Sequence, residues 1–360
     1  MDSALRASLR LSNGAPGDVV AAAQPRLRNA GTLTVMPKLA DIWYGHSAWA
    51  WLLLPLSALY CAVVAARRLA YRTGLKKIHR LDVPVIVIGN LTVGGTGKTP
   101  LVIWLSHFLR AQGYRPGLIA RGYGGKATHW PQSVTADSDP SVVGDEPVLL
   151  VRATGCPMVV APDRVAAARA LLAEHDCNII ISDDGLQHYA LGRDIEIAVV
   201  DGERRFGNAH CLPAGPLREP ARRLREVDLI VTNGAARAGE FAMRVHAGEV
   251  VNLLSGERRQ LHEIHSRSVR AIAGIGHPER FFAALRAVGL EFTAQAFPDH
   301  HAYRPDDLAG ADDVVLMTEK DAVKCRQFAR DTFWAVETYT EIGSEFGARL
   351  LELLRNRGRG

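Results

Sequence analysis

From Val83 onward, short and continuously apolar runs alternate with segments whose apolar positions return every three or four residues. The runs Val83–Ile88, Gly117–Ala120, Pro157–Val160, Asn178–Ser182, Ile195–Val200 and Asp228–Thr232 predict strands. Pro100–Gln112, Glu146–Ala153 and Asp163–Glu174 predict helices between them. Strands that are apolar throughout, not on alternate residues, are covered on both faces, as in a parallel sheet. The order therefore predicts an α/β fold, a doubly wound and mainly parallel sheet whose ligands lie beyond the strands' carboxyl ends. A second, smaller α/β lobe is expected from strands Val269–Ala273, Phe292–Phe297, Val314–Met317 and Trp334–Val336, with helices Pro278–Val288 and Glu341–Leu354. The stretch from Arg237 to Arg267 is polar and without period, and is expected to be an irregular link between lobes. No internal repeat or heptad run is present.

Ahead of the first strand the pattern changes. Residues 1–35 are rich in Ala, Gly, Arg and Ser with no sustained period. They cannot bury enough apolar surface to offset their ordering entropy, so a disordered extension is expected. Ala48 to Ala66 carries no charge for nineteen residues, near the lower limit for crossing a bilayer. Trp49, Trp51 and Tyr60 suit a membrane interface, and Arg67, Arg68, Arg72, Lys76, Lys77 and Arg80 follow at once. Basic residues on that side predict a membrane helix with the remaining chain on the cytoplasmic face. Three placements stay open for the helix: spanning, lying in the interface, or buried in a core. The expected division is an extension over 1–35, membrane helix and basic tether over 36–82, α/β core over 83–236 and second lobe over 237–360.

Composition adds little to this. Apolar content of 48% and charged content of 22% describe an ordinary globular chain, and the net charge of +5 suits an anionic ligand or lipid surface without suggesting nucleic acid. Five scattered cysteines without a Cys-x-x-Cys pair argue against a disulfide framework and a zinc site.

The chemistry is concentrated at strand ends. Thr92-Val93-Gly94-Gly95-Thr96-Gly97-Lys98-Thr99 lies between the first strand and a helix opened by Pro100, the context a phosphate-binding loop requires. Its glycines let successive N–H groups curl around a polyphosphate while the helix N-terminus faces the same anion. Lys98 would neutralise phosphate oxygens and the Thr99 hydroxyl would ligate Mg²⁺. Thr92 stands where the general pattern has glycine. Asp183 and Asp184 end the strand Asn178–Ser182; an acid there holds the metal beside the loop threonine, and Asp183 is the residue for it, with Asp184 behind it or on the substrate side. Arg121, after the second strand, can steady phosphate oxygens as charge develops.

Asp145, in Gly144-Asp145-Glu146-Pro147, could serve as a helix cap or act chemically. Asp299-His300-His301 places a carboxylate beside imidazoles, which suits accepting a hydroxyl proton better than holding a metal, because adjacent side chains in an extended chain point apart. Thr318-Glu319-Lys320-Asp321 has the wrong spacing for a guanine-reading motif. Gly274 and Gly276 form half a dinucleotide fingerprint, with Glu279 in place of the third glycine, so a tight turn is the better reading.

Taken together these motifs resemble the tetraacyldisaccharide 4′-kinases of lipid A synthesis. The resemblance runs from about Met36 to the C-terminus. It rests on the apolar helix with its basic follow-on, GNLTVGGTGKTP from Gly89, ARGYGG from Ala120, GDEP from Gly144, Pro162-Asp163-Arg164, SDDGLQH from Ser182, Leu217-Arg218-Glu219-Pro220, FPDHH from Phe297 and TEKDAVK from Thr318. Thr92 at the loop entry is itself the family's form. The resemblance implies a P-loop fold and transfer of the ATP γ-phosphate to the 4′-hydroxyl of a tetraacylated glucosamine disaccharide 1-phosphate. It implies that Asp145 and His300 act together on that hydroxyl, His300 being chosen over His301 because it follows Pro-Asp. Lys98 would bind phosphates, Thr99 and Asp183 would hold Mg²⁺, Arg121, Arg164, Arg218 and Glu219 would lie about the site, and the TEKD segment would border the nucleotide. Asp184 is a further candidate catalytic residue, and no obligate protein partner is expected. A membrane-tethered GTPase or ATPase switch is the competing class.

Overall fold

The computed structural model describes residues 39–45, 47–264, 268–308, 310 and 314–357; the expected extension over 1–35 lies outside them. Two helices come first, α1 (Leu39–Tyr44) and α2 (Trp49–Arg72), then β1 (Val85–Gly89), α3 (Lys98–Ala111), β2 (Pro116–Ala120) and β3 (Gln132–Val134). Next are α4 (Pro140–Val143), α5 (Asp145–Thr154), β4 (Met158–Val160), α6 (Arg164–Glu174), β5 (Ile179–Ser182), β6 (Ile195–Asp201) and β7 (Leu229–Asn233). The chain continues through β8 (Phe241–Asn252), β9 (Arg258–Gln260), β10 (Val269–Ala273), α7 (Pro278–Ala287) and β11 (Thr293–Ala296). It ends with β12 (Val314–Thr318), α8 (Glu319–Cys325), β13 (Phe333–Ile342) and α9 (Ser344–Arg357).

The thirteen strands among the described residues form one sheet in the order β11-β10-β12-β13-β8-β7-β6-β1-β5-β2-β4-β3, with β9 beside β8. Two sets within it are parallel, β8-β7-β6-β1-β5-β2-β4 and β11-β10-β12-β13. They meet at the antiparallel pair β8–β13, which fixes how the two strand sets face each other. The first residues of β8 run alongside β7, and its last residues reach the start of β13 (Asn252 opposite Trp334). The two parallel sets are therefore joined lengthwise, with their carboxyl ends directed toward each other. Ligand-binding loops lie at those ends, so one cleft receives both sets.

The expected irregular link between Arg237 and Arg267 is instead largely this ribbon. β8 was hidden because its apolar residues Phe241, Met243 and Val245 alternate with Ala242, Arg244 and His246, as in a strand covered on one side. For the same reason Trp334–Val336 extends to Ile342 through the polar residues Glu337, Thr338 and Thr340, with a register shift between Val336 and Thr338.

Alternation on β1 shows why the central strands are apolar throughout. Ile86 and Ile88 pack with Leu101, Leu105 and Val148 on one face of the sheet, while Val85 and Val87 pack with Val165, Leu171 and Ile180 on the other. The C-terminal helix α9 returns to the first of these layers, where Phe346, Leu350 and Leu354 are buried. There Phe346 meets Trp104 of α3 with ring centroids 5.4 Å apart.

Helix α2 lies along the body. Ser57 is buried and its hydroxyl donates to the Cys211 carbonyl (2.8 Å); Tyr60 donates to the Arg218 carbonyl (3.0 Å); Arg68 pairs with Glu226. Its other face is apolar and exposed, with Trp51, Leu52, Leu56, Leu59 and Val63 all more than half accessible. It is long and apolar enough to cross a membrane, and only 11% of its most apolar window is buried. Of the three placements left open, burial in a core is the one the structure does not show: the helix uses one stripe for docking and leaves the rest uncovered.

Candidate active site

The phosphate loop begins where β1 ends. Thr92 is buried and sits in a bridge with Leu217, while the Val93 N–H donates to the Pro216 carbonyl (2.8 Å). An extended, paired backbone suits a β-branched residue, so the entry needs no glycine. The left-handed positions are Gly94 (φ 107°) and Gly97 (φ 95°), and a Cβ at Gly97 would lie 2.6 Å from the Asn233 amide nitrogen. Lys98 opens α3, and its ammonium donates to Asn90 Oδ1 (3.2 Å) and lies 3.5 Å from Asp184. Val93, Gly94, Gly95, Gly97, Lys98 and Thr99 line a cavity of about 1340 Å³; Thr92 and Thr96 support the loop from outside that lining.

The end of β5 supplies Asp183 and Asp184. Asp184, in the left-handed region (φ 48°), accepts two hydrogen bonds from Arg218 (3.0 and 2.9 Å). Burial pushes its carboxyl up, but Lys98 and Arg218 outweigh this and hold it at about 2. Asp183 behaves in the opposite way. Buried at 4% exposure, its Oδ1 has no hydrogen-bond partner among the described residues, and burial, with Glu146 second, raises its pKa while Lys98 opposes. A buried carboxylate oxygen left open beside a phosphate loop fits a hard divalent cation, which accepts few protein oxygens and takes the rest from phosphate and water. Asp183 and Thr99 would hold it.

Arg164, at the start of α6, is buried and donates to the Asp184 carbonyl (3.3 Å); burial lowers its pKa to about 10, against the pull of Asp184. Arg121 lines the same cavity and is exposed to it. Glu219 is buried and accepts from the Tyr189 hydroxyl (2.6 Å), behind Arg218.

The second parallel set contributes the opposite wall. His300, at φ 59°, places Nδ1 3.1 Å from both carboxylate oxygens of Asp145. His301 points away, stacking on Phe297 and bonding Asp307 (3.1 Å). Asp145 is buried at the first residue of α5, and its Oδ1 also accepts the Glu146 N–H (2.9 Å). Burial raises its pKa, but the His300 bond and the ammoniums of Lys320 and Lys324 overcome this and leave it below the usual carboxylate range. The Asp145 bond raises His300 above the ordinary imidazole value, against burial. Lys320 donates to Glu146 (3.0 Å) and Asp299 (3.2 Å), and Lys324 lies 3.7 Å from Asp145.

Of the expected site residues, Lys98, Thr99, Asp183, Asp184 and Arg121 line the cavity from the first strand set and His300 lines it from the second; Asp145, on α5 of the first set, is buried just behind His300. The residues sequence reasoning passed over are Asn90, Glu146 and Lys324, together with the acid-binding role of Lys320. The two lysines were signalled by their four-residue spacing, which puts both on one helix face.

Comparison with known proteins decides the family. A family model described as tetraacyldisaccharide-1-P 4′-kinase, LpxK, matches residues 49–355. The chain belongs to the tetraacyldisaccharide 4′-kinase family. A tetraacyldisaccharide 4′-kinase from Nitrosococcus oceani is 60% identical over 314 residues, 87% of this chain and 93% of that protein. One from Methylobacillus flagellatus is 53% identical, covering 87% and 94%. Among solved structures, LpxK from Aquifex aeolicus in complex with ATP superposes with a TM-score of 0.74 at 28% identity, over 85% of this chain and 99% of that one. The likeness to that solved structure agrees with the mixed, mostly parallel sheet described above.

Proposed function

We propose that this chain is the kinase that transfers the γ-phosphate of ATP to the 4′-hydroxyl of tetraacyldisaccharide 1-phosphate, forming lipid IVA. The observation that carries the reading is His300, which lines the same cavity as Lys98 and the phosphate loop and holds the buried Asp145 carboxylate directly behind it. Lys98 and the loop N–H groups bind the β- and γ-phosphates, and Arg121, Arg164 and Arg218 balance charge around them. Mg²⁺, held by Thr99 and Asp183, supplies neutralisation of the phosphate oxygens when bound. Asp145 accepts the proton of the attacking hydroxyl while His300, donating from Nδ1, orients the carboxylate. Catalysis is then mainly positioning in a closed, charged cleft.

The acceptor's acyl chains remain in lipid, since each exposed CH₂ costs about 0.8 kcal/mol. Tyr60, Val64 and Arg67 of α2 line the cavity beside the loop, so the exposed apolar face of the same helix would hold the cavity at the leaflet. We read the chain as an inner-membrane protein working from the cytoplasmic face, with 83–236 as the nucleotide core and 237–360 bringing the acceptor wall.

Two measurements test this. With ATP and Mg²⁺, purified protein should add one phosphate to the 4′ position of the disaccharide; GTP preference and hydrolysis indifferent to the glycolipid would favour a switch instead. The triple change Leu52, Leu56 and Leu59 to Gln should weaken binding to anionic vesicles at least tenfold without altering ATP binding. Unchanged vesicle binding would remove α2 as the contact.

A further inference from the structure

Helix α8 places two lysines, Lys320 and Lys324, on the side facing α5. Lys320 is spread over Glu146, Asp299 and the His300 ring (Nζ to Nε2, 3.5 Å). Lys324 is arranged differently. Its side chain is 11% exposed, its ammonium lies 3.0 Å from Asp321 Oδ1 and 3.7 Å from Asp145 Oδ2, and it sits 5.0 Å from the centre of the Tyr303 ring. None of its N–H groups makes a hydrogen bond of good geometry among the described residues, so its influence is exerted through charge.

Asp321 keeps that charge in place. It is fully buried, and its other oxygen accepts the Gly274 N–H (2.9 Å) and the Thr318 hydroxyl (2.7 Å). Both donors come from the ends of the parallel strands β10 and β12. The carboxylate is thereby pinned to the second strand set, and through Lys324 it presents one fixed positive charge to a carboxylate on the first. A cation serving Asp321 alone would have no reason to face Asp145 on the packed helix α5.

We infer that Lys324, held by Asp321, is a positioning residue that keeps the Asp145 carboxylate ionised and turned toward the acceptor hydroxyl. This rests on the reading of Asp145 as the proton acceptor. The charged groups around Asp145 are Glu146 on α5, Asp299 and His300 on the preceding loop of the second set, and Lys320, Asp321 and Lys324 on α8. Of these cations, Lys324 is the one whose partners are Asp145 and a residue remote from the acceptor. An opposite charge within about 4–6 Å shifts a carboxyl by about one unit or more.

The test is the pH dependence of kcat for 4′-phosphorylation in Lys324→Met, Lys324→Arg and Asp321→Asn, beside wild type and Asp145→Ala. The acid limb should move up by about one pH unit in Lys324→Met and in the same direction in Asp321→Asn. It should return toward wild type in Lys324→Arg, with KM for ATP unchanged throughout. A folded Lys324→Met whose acid limb stays in place, or equal shifts in the Met and Arg variants, would overturn the inference and leave Lys324 a partner of Asp321 alone. Should Lys324→Met not fold, the limb in Asp321→Asn decides in the same way. Wild-type turnover in Asp145→Ala would locate the failure in the underlying reading.

Discussion

Asp184 and Asp145 are both carboxylates that face cations, the first half-buried on the cavity wall and the second buried behind His300, yet they are built in opposite ways. Asp184 is locked, taking two bonds from Arg218 and a contact from Lys98. Asp145 takes one imidazole, one backbone N–H and a more distant ammonium. A carboxylate saturated by cations orders the residues that grip phosphate but has little capacity left for a proton. A carboxylate held ionised with a contact to spare can accept one. The difference separates the two carboxylates before any ligand is considered, Asp184 beside Lys98 and the phosphate loop and Asp145 beside His300.

The sharpest way to break this contrast is Asp145→Ala. It should lower kcat by about 10²–10⁴ and leave ATP affinity unchanged, measured by single-turnover transfer beside equilibrium ATP binding. Lys98→Ala should cost about 10²–10³ in kcat/KM and weaken ATP binding as well; equal effects of the two variants on ATP affinity would erase the division into sides. Arg218→Ala frees Asp184 from the guanidinium nitrogen shared by its two oxygens and should raise KM for ATP roughly tenfold, the cost of a charge-assisted bond, with a smaller change in kcat.

The smallest effect is on stability. His300 has its pKa raised by the Asp145 bond, so its contribution is full below the unfolded value of about 6.5 and is lost as pH rises through the folded value. The gap in denaturation midpoint between wild type and His300→Gln should be widest below about pH 6.5 and close above it; a gap that widens with rising pH would contradict the assignment.

How far each side could be read from sequence follows the same division. Lys98, Thr99, Asp183 and Asp184 belong to two local strand–turn motifs, and their spacing carries their chemistry. Asp145 and His300 are 155 positions apart; their side chains meet because the antiparallel β8–β13 pair turns the two strand sets end to end. That pair was the least legible part of the fold, since one-sided strands with threonines and glutamates look like linker. Lys320 and Lys324 were obscured by a different cause. Their segment resembled a misspaced guanine motif, and nothing local reveals that an ammonium on α8 will face an acid on α5. The docked stripe on α2 was likewise invisible, because Ser57 and Tyr60 do not interrupt an apolar run.

The most direct measurement is mass spectrometry of the acylated disaccharide 1-phosphate after incubation with ATP and Mg²⁺ in lipid vesicles, comparing wild type with Asp145→Ala at equal ATP occupancy. The account requires one added phosphate at the sugar's 4′ oxygen for wild type and a trace for the variant. Unmodified acceptor with ATP-saturated wild type, or equal phosphate gain in both proteins, would contradict it.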